Sequence, residues 1–169
     1  MADVQRALVV ADTHLGAGQS ARLMSRLRDA DLLGDIDAVF HAGDLVHADV
    51  LDALAAIAPV HAVLGNNDHG IVLPERIEVR VGEHVIAMVH DSGPSAGRAA
   101  WLRRWFPTAD VVLFGHSHIP WHENHVDDRG HVQLQVNPGS AIQRRRQPRC
   151  TSAVLELRPG TVNVHIVPI

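Results

Sequence analysis

Arg6-Ala7-Leu8-Val9-Val10-Ala11 runs without a break into Asp12-Thr13-His14. The first six residues read as a buried strand and Asp12–Gly18 as the loop leaving it. The same junction recurs along the chain: Val111-Val112-Leu113-Phe114 meets Gly115-His116-Ser117-His118, and Ile86-Ala87-Met88-Val89 meets His90. Ala38–His41 ends at Gly43-Asp44, and Val60–Leu64 ends at Gly65-Asn66-Asn67-Asp68. Seven metal-capable side chains therefore fall in five short clusters, several of them closing an apolar run. Open α/β sheets gather their sites on such loops, at one edge of the sheet. Carboxylate, amide oxygen and imidazole suit borderline or hard divalent cations, and seven donors are too many for one ion but about right for two.

The stretches between the clusters complete the architecture. Gln19–Leu32 carries Leu23 and Leu27 at helical spacing. Asp49 is the expected N-cap of a helix running through Leu51, Leu54 and Ile57, with Pro59 at its end. Ser95–Trp105 reads as a helix with Pro107 beyond it. Three hairpins are expected: Glu75–Val81 with His84–Val89, Trp121–Val126 with Val132–Val136, and Ala153–Leu157 with Val162–Val167. β-α-β units thus precede antiparallel hairpins, and helices should cover the outside of a two-sheet core. No linker, repeat or low-complexity tract divides residues 1–169, so one domain is expected.

Bulk properties exclude several classes. A 46% hydrophobic, 20% charged composition is globular. A net charge of -4 argues against stable nucleic-acid binding. The lone Cys150 can form neither an intramolecular disulfide nor a thiolate zinc cluster. That, and a start (Met1-Ala2-Asp3-Val4-Gln5-Arg6) without the pattern of a signal peptide, fits a cytoplasmic protein. No stretch is long enough to span a bilayer. Of thirteen histidines only His14, His90, His116 and His118 sit in clusters.

The donors divide by chemistry. In an extended chain Asp12 and His14 point to the same side, so one ion could take both. His116 and His118 share that spacing and could serve adjacent ions once the loop bends. Asp44 is the candidate bridge, because a carboxylate has lone pairs for two cations and a neutral imidazole does not. Two divalent ions bring about +4 and two aspartates return about -2, leaving a positive pocket for a phosphate. Ions roughly 3.5–4 Å apart can activate a hydroxide and hold both oxygens of an in-line displacement.

The order Asp-x-His, Gly-Asp, Gly-Asn-x-Asp, His, Gly-His-x-His resembles the calcineurin-like metallophosphoesterase superfamily. The short length and the late Asn137-Pro138-Gly139-Ser140 resemble its compact bacterial and archaeal phosphodiesterase branch. The resemblance implies a four-layer α-β-β-α sandwich with two mixed sheets. It implies that Asp12, His14, Asp44 and His118 hold one ion and Asp44, Asn66, His90 and His116 the other, with manganese a frequent metal and nickel, zinc or iron alternatives. The implied activity is hydrolysis of a phosphodiester in a small phosphate ester or nucleotide, by attack of metal-bound hydroxide. Alternatives are a phosphomonoesterase or nucleotide-polyphosphate hydrolase using the same site, and a protein-binding scaffold like the retromer subunit of this fold.

Other positions carry weaker expectations. Many members of the family it resembles have histidine as the acid where this chain has Asn67, which cannot deliver a proton; His69 is a candidate displaced acid, or a surface residue. Asp68 is expected to orient a histidine or the nucleophile, or else to stabilise its turn. Asp91 could orient a ligand or cap the following helix. Arg144, Arg145 and Arg146 could lean over the pocket and grip substrate, or form a solvated loop. Trp101 and Trp105 read as packing residues, Trp121 as a possible pocket wall, and Asn137-Pro138-Gly139-Ser140 as the floor behind the ligands or a plain turn.

Overall fold

A computed structural model of the protein describes residues 4–169. Met1-Ala2-Asp3, part of the start read above as lacking a leader, lies outside the described residues. Two five-stranded sheets face each other. One contains β10 (Thr161–Pro168), β9 (Thr151–Arg158), β1 (Gln5–Val10), β2 (Ala38–His41) and β3 (Val60–Ala62), in that order. The other runs β4 (Arg76–Val81), β5 (His84–Val89), β6 (Val111–Leu113), β8 (Val132–Asn137), β7 (Trp121–Val126). β1, β2 and β3 pair in parallel, as do β5, β6 and β8, and hairpin partners add antiparallel strands at the flanks. Both sheets are therefore mixed, as the chain's change from β-α-β units to hairpins predicts.

Helices α1 (Ser20–Asp29) and α2 (Asp49–Ala55) lie outside the first sheet, and α3 (Arg98–Trp105) outside the second. Side-chain alternation explains the layering. On β1, Ala7 and Val9 point into the space between the sheets, while Leu8 and Val10 meet Leu23 and Leu27 of α1 and Leu54 of α2. The middle core joins Val9, Phe40, Met88, Leu113 and Val136, and the third layer packs Leu102 and Phe106 on Val112 and Phe114. This is the four-layer α-β-β-α sandwich.

Boundaries shift by a few residues. Helix α3 starts at Arg98, after the left-handed Gly97, rather than at Ser95. Ala48 is the N-cap residue of α2; Asp49 is its first helical residue, and its carboxylate takes the Gly18 N–H at 2.6 Å. The aspartate thus ties α2 to the loop after β1. No helix among the described residues is long and apolar enough to cross a membrane.

Both parallel sets end at the same edge, and this positions the site. The loops leaving β1 and β2 keep pairing past the strand ends: Asp12 N–H to Gly43 O, His14 N–H to Asp44 O and Leu15 N–H to Leu45 O, at 2.9–3.0 Å. In the second sheet Gly115 N–H donates to His90 O at 2.9 Å. Phe40, fully buried between the sheets just before the second loop, anchors this edge. Phe40→Ala should cost about 3–5 kcal/mol, read by urea unfolding; a loss below about 1 kcal/mol would mean the layers repack freely.

Candidate metal centre

All seven donors named from the sequence meet at the carboxyl edge of the two sheets, in two neighbouring groups. In the first, His118 Nε2 lies 3.5 Å from Asp12 Oδ1 and 3.3 Å from His14 Nε2, and His14 Nε2 lies 3.9 Å from Asp12 Oδ1. In the second, Asn66 Oδ1 is 3.1 Å from His90 Nε2 and 3.0 Å from His116 Nδ1, and the two imidazole nitrogens are 3.3 Å apart. Asp44 joins the groups: its Oδ2 is 3.5 Å from His14 Nε2 and 3.5 Å from His90 Nε2. Donors about 2.0–2.2 Å from a shared cation stand about 2.8–3.6 Å from one another in octahedral or tetrahedral arrangements. The observed spacings match, apart from the longer Asp12–His14 edge.

Hydrogen bonding fixes how the imidazoles present themselves. His90 Nδ1–H donates to Ala42 O at 2.7 Å and His118 Nδ1–H to Gln143 O at 2.6 Å. Each leaves a bare Nε2 lone pair aimed inward. In its neutral form His90 turns that lone pair toward the Asn66 oxygen, 3.1 Å away, an acceptor pair that a shared cation would bind. Asp12 Oδ2 is buried without any hydrogen-bond partner, which likewise fits a cation.

The titration behaviour agrees. Burial, reinforced by the Asp44 carboxylate, pushes Asp12 up to about 8. Burial pushes Asp44 up as well, but the Asn67 backbone and side-chain N–H donors, with His90 and His14 nearby, outweigh it and hold this carboxyl below the usual range. Burial lowers His14 and brings His118 down to about 4. These imidazoles stand beside the aspartates as neutral bases rather than ion-pair partners, the form a metal needs.

The backbone is strained at the same place. Asp12, His14, Asp44, His116 and His118 all have left-handed φ, between 46° and 68°. Such residues cost about 1–3 kcal/mol each and persist only where neighbours enforce them. The extended Asp12-Thr13-His14 considered from the sequence is thus not adopted; two left-handed residues bring the side chains together instead. Crowding requires glycine nearby. A Cβ on Gly65 would overlap Asp44 Oδ1 and its backbone nitrogen, and one on Gly43, itself at φ 87°, would press on His90 Nδ1 at 2.7 Å.

Asp68 enforces these loops. Its carboxylate accepts the N–H groups of Asp44 (2.9 Å), Val46 (2.7 Å) and Gly65 (2.8 Å), with no histidine among its hydrogen-bond partners. Val46 is a β-branched residue at φ 79°, so Asp68 is holding a strained turn. Its geometry is that of a brace between two ligand loops rather than of a group facing the reaction. Asn67 clamps Asp44 from outside, with its backbone N–H on Oδ1 at 2.8 Å and its side-chain amide on Oδ2 at 2.7 Å. Ser140 Oγ–H donates to Asp12 O at 2.7 Å, and the Asn137 amide donates to Gly115 O at 2.9 Å. The Asn137–Ser140 turn therefore supports both sheets' loops from behind.

Other candidates fall outside the centre. His69 is exposed. Asp91 accepts only the Gly93 N–H, at 2.8 Å; it neither supports His90 nor caps α3. Arg144 is exposed and donates to Gln147 O within its own loop, and Arg146 is exposed. Arg145 is exposed as well and differs only in that its charge acts on Asp12, His14 and His118. Trp101 is 47% exposed and pairs with Trp105, so it is surface packing rather than core. Trp121 packs on Phe114 beneath the Arg98 guanidinium.

One pair escaped the sequence reading. His41, wholly buried, sits 3.0 Å from Thr13 Oγ1 through its Nε2 and underlies both aspartate loops. Its only sequence signal is a histidine closing an apolar strand three residues before Asp44, which alone is too common to weigh.

The family model described as the calcineurin-like phosphoesterase superfamily domain matches residues 6–160. The chain belongs to this superfamily. A probable metallophosphoesterase of Methanocaldococcus jannaschii is 31% identical over 145 residues, which cover 84% of this chain and 69% of that relative. A crystal structure of a "predicted phosphoesterase" from Streptococcus pneumoniae superposes with a TM-score of 0.75 at 25% identity, covering 99% of this chain and 91% of the other. Vacuolar protein sorting 29 from Cryptosporidium parvum has the same fold, with a TM-score of 0.75 at 21% identity and 96% of each chain covered. Membership and the clustered donors together support divalent-metal binding.

Two outcomes test this geometry. Asp68→Ala strips a carboxylate from three backbone donors and should destabilise the fold by about 3–5 kcal/mol in urea titration; a loss under about 1 kcal/mol would remove its bracing role. The second is a pH profile. Asp12 gives up its proton near 3.8 when unfolded and near 8 when folded without metal, so its stabilising contribution is lost as pH rises through that window. His118 has the opposite sign: its contribution is present above 6.5 and lost as pH falls toward 4, and His41 follows toward 3. Metal-free protein should have its highest melting temperature near pH 6.5, and saturating Mn2+ or Asp12→Asn should abolish the decline from there to pH 8. A melting temperature that climbs over that range without metal would contradict the Asp12 environment.

Proposed function

We propose that residues 1–169 form one dinuclear metallophosphoesterase domain acting as a phosphodiesterase. Asp12, His14, Asp44 and His118 would hold one divalent ion and Asp44, Asn66, His90 and His116 the other. The observation that carries this reading is Asp44 Oδ2, 3.5 Å from a histidine of each group. Bound there, a pair of divalent cations lowers the pKa of water and draws charge from the phosphoryl oxygens.

The protein's own groups do the rest. Asn67 keeps Asp44 ionised and in register, and the carbonyls of Ala42 and Gln143 aim the His90 and His118 lone pairs. Arg145, exposed in the loop beyond Ser140, is the arginine of that run whose charge acts on Asp12, and it would meet a phosphoryl group from that flank. Asn67 has no proton to give, so the best substrates carry a leaving group that departs without one. The donors O and N suit manganese, with nickel, zinc or iron also compatible. The composition and the single buried cysteine fit a cytoplasmic setting.

Vacuolar protein sorting 29 makes a protein-binding scaffold the competing reading. Completeness of the donor set favours the enzyme: all seven ligand positions hold metal-competent side chains that meet at one edge. The test is metal content together with hydrolysis of bis(p-nitrophenyl) phosphate and p-nitrophenyl phosphate under Mn2+. The diester should be preferred, Asp44→Asn should lower its turnover more than about 100-fold, and Asn66→Ala should release one ion of two. Full activity in either variant would overturn the ligand assignment, and no turnover with any divalent metal would favour the scaffold.

A further inference from the structure

The centre is open on one flank. A cavity of about 330 Å³ shares the wall made by Asn66, His90 and His116, and its lining includes the apolar residues Leu64 and Val89. Two exposed acids, Glu75 and Asp91, complete it. The chain has no lysine, and no arginine or histidine forms an ion pair with either among the described residues; the arginine bridges go to Asp127 and Glu156. Arg76, next to Glu75 in sequence, lies over the Trp105 ring instead, 5.6 Å from its centroid.

Charge across the site is therefore uneven. Glu75 and Asp91 line the Asn66 and His116 flank, and no arginine among the described residues lines it. A phosphodiester has one charged phosphoryl group and two ester arms. With the charge of the ions taken up by the phosphoryl group, an anionic arm in this cavity would meet two carboxylates, whereas a cationic one would find counter-charge and an apolar surface for its methyl or methylene groups. With no proton donor at the centre, the arm of the more acidic alcohol leaves, and an alkyl amino-alcohol is the weaker acid beside an aryl arm. The arm seated there is the one that stays on phosphorus.

Resting on the phosphodiesterase reading, we propose that this cavity seats a cationic amino-alcohol arm of the substrate and that Glu75 and Asp91 select it against anionic arms. In the reaction the oxygen of water bonds to phosphorus and the phosphorus–oxygen bond of the other arm breaks. That arm leaves as an alcohol carrying one of the water's protons, the second proton goes to solvent, and the product is the amino-alcohol phosphomonoester.

The test uses the Mn2+-loaded full chain and p-nitrophenyl diesters whose second arm is choline, ethyl or carboxyethyl, with bis(p-nitrophenyl) phosphate alongside. The choline ester should exceed the carboxyethyl ester in kcat/KM by about tenfold or more, mainly through KM. Glu75→Gln with Asp91→Asn should bring that ratio close to one. A wild-type ratio near one, or one that survives the double variant, overturns the cavity assignment while hydrolysis of bis(p-nitrophenyl) phosphate leaves the phosphodiesterase reading standing. Failure to cleave any of the four diesters overturns both.

Discussion

Two carboxylates, Asp12 and Asp44, are buried side by side at the edge where both sheets end. Like charges in a water-poor place are costly unless positive charge joins them. The apoprotein relieves the cost in two ways: Asp12 keeps its proton to about 8, and Asn67 donates twice to Asp44. Four imidazoles with inward nitrogens surround the pair, and burial keeps His14 and His118 from becoming the missing cations. The surrounding structure suits a divalent metal that supplies that charge.

This constraint accounts for the backbone. To bring donors from five loops within 3.0–3.9 Å of one another, five of the seven residues adopt left-handed conformations. The energy comes from the sandwich, whose fully buried Leu8, Phe40, Ile86 and Leu113 each contribute roughly 1.5–3 kcal/mol. Asp68 transmits that stability to the loops through three backbone donors, and Asn137 and Ser140 do the same from the second sheet. Packing thus holds in place a site whose local conformations are unfavourable.

Much of the architecture was legible because burial writes a periodic signal. β2, the β4–β5 pair and the β7–β8 pair are readable from apolar alternation and turn residues, and their ends fall within a residue or so of the expected ones. Helix starts were less legible: Gly97 takes φ 79° and delays α3, and Asp49 spends its carboxylate on Gly18 rather than on a cap. Neither fact can be read without knowing which loop lies opposite.

The sequence by itself determined which side chains could coordinate a cation, because donor chemistry belongs to the residue type and each cluster follows an apolar run that must be buried. Only the tertiary structure decided what each neighbour does. Asp68 became a loop brace, Asn67 a clamp on Asp44, and Asp91 part of a cavity wall with Glu75. Arg145 was singled out from its two neighbours, and His41 was joined to Thr13. The reason is physical: hydrogen bonds and charge act across a few ångströms of space, and here the partners lie tens of residues apart in the chain.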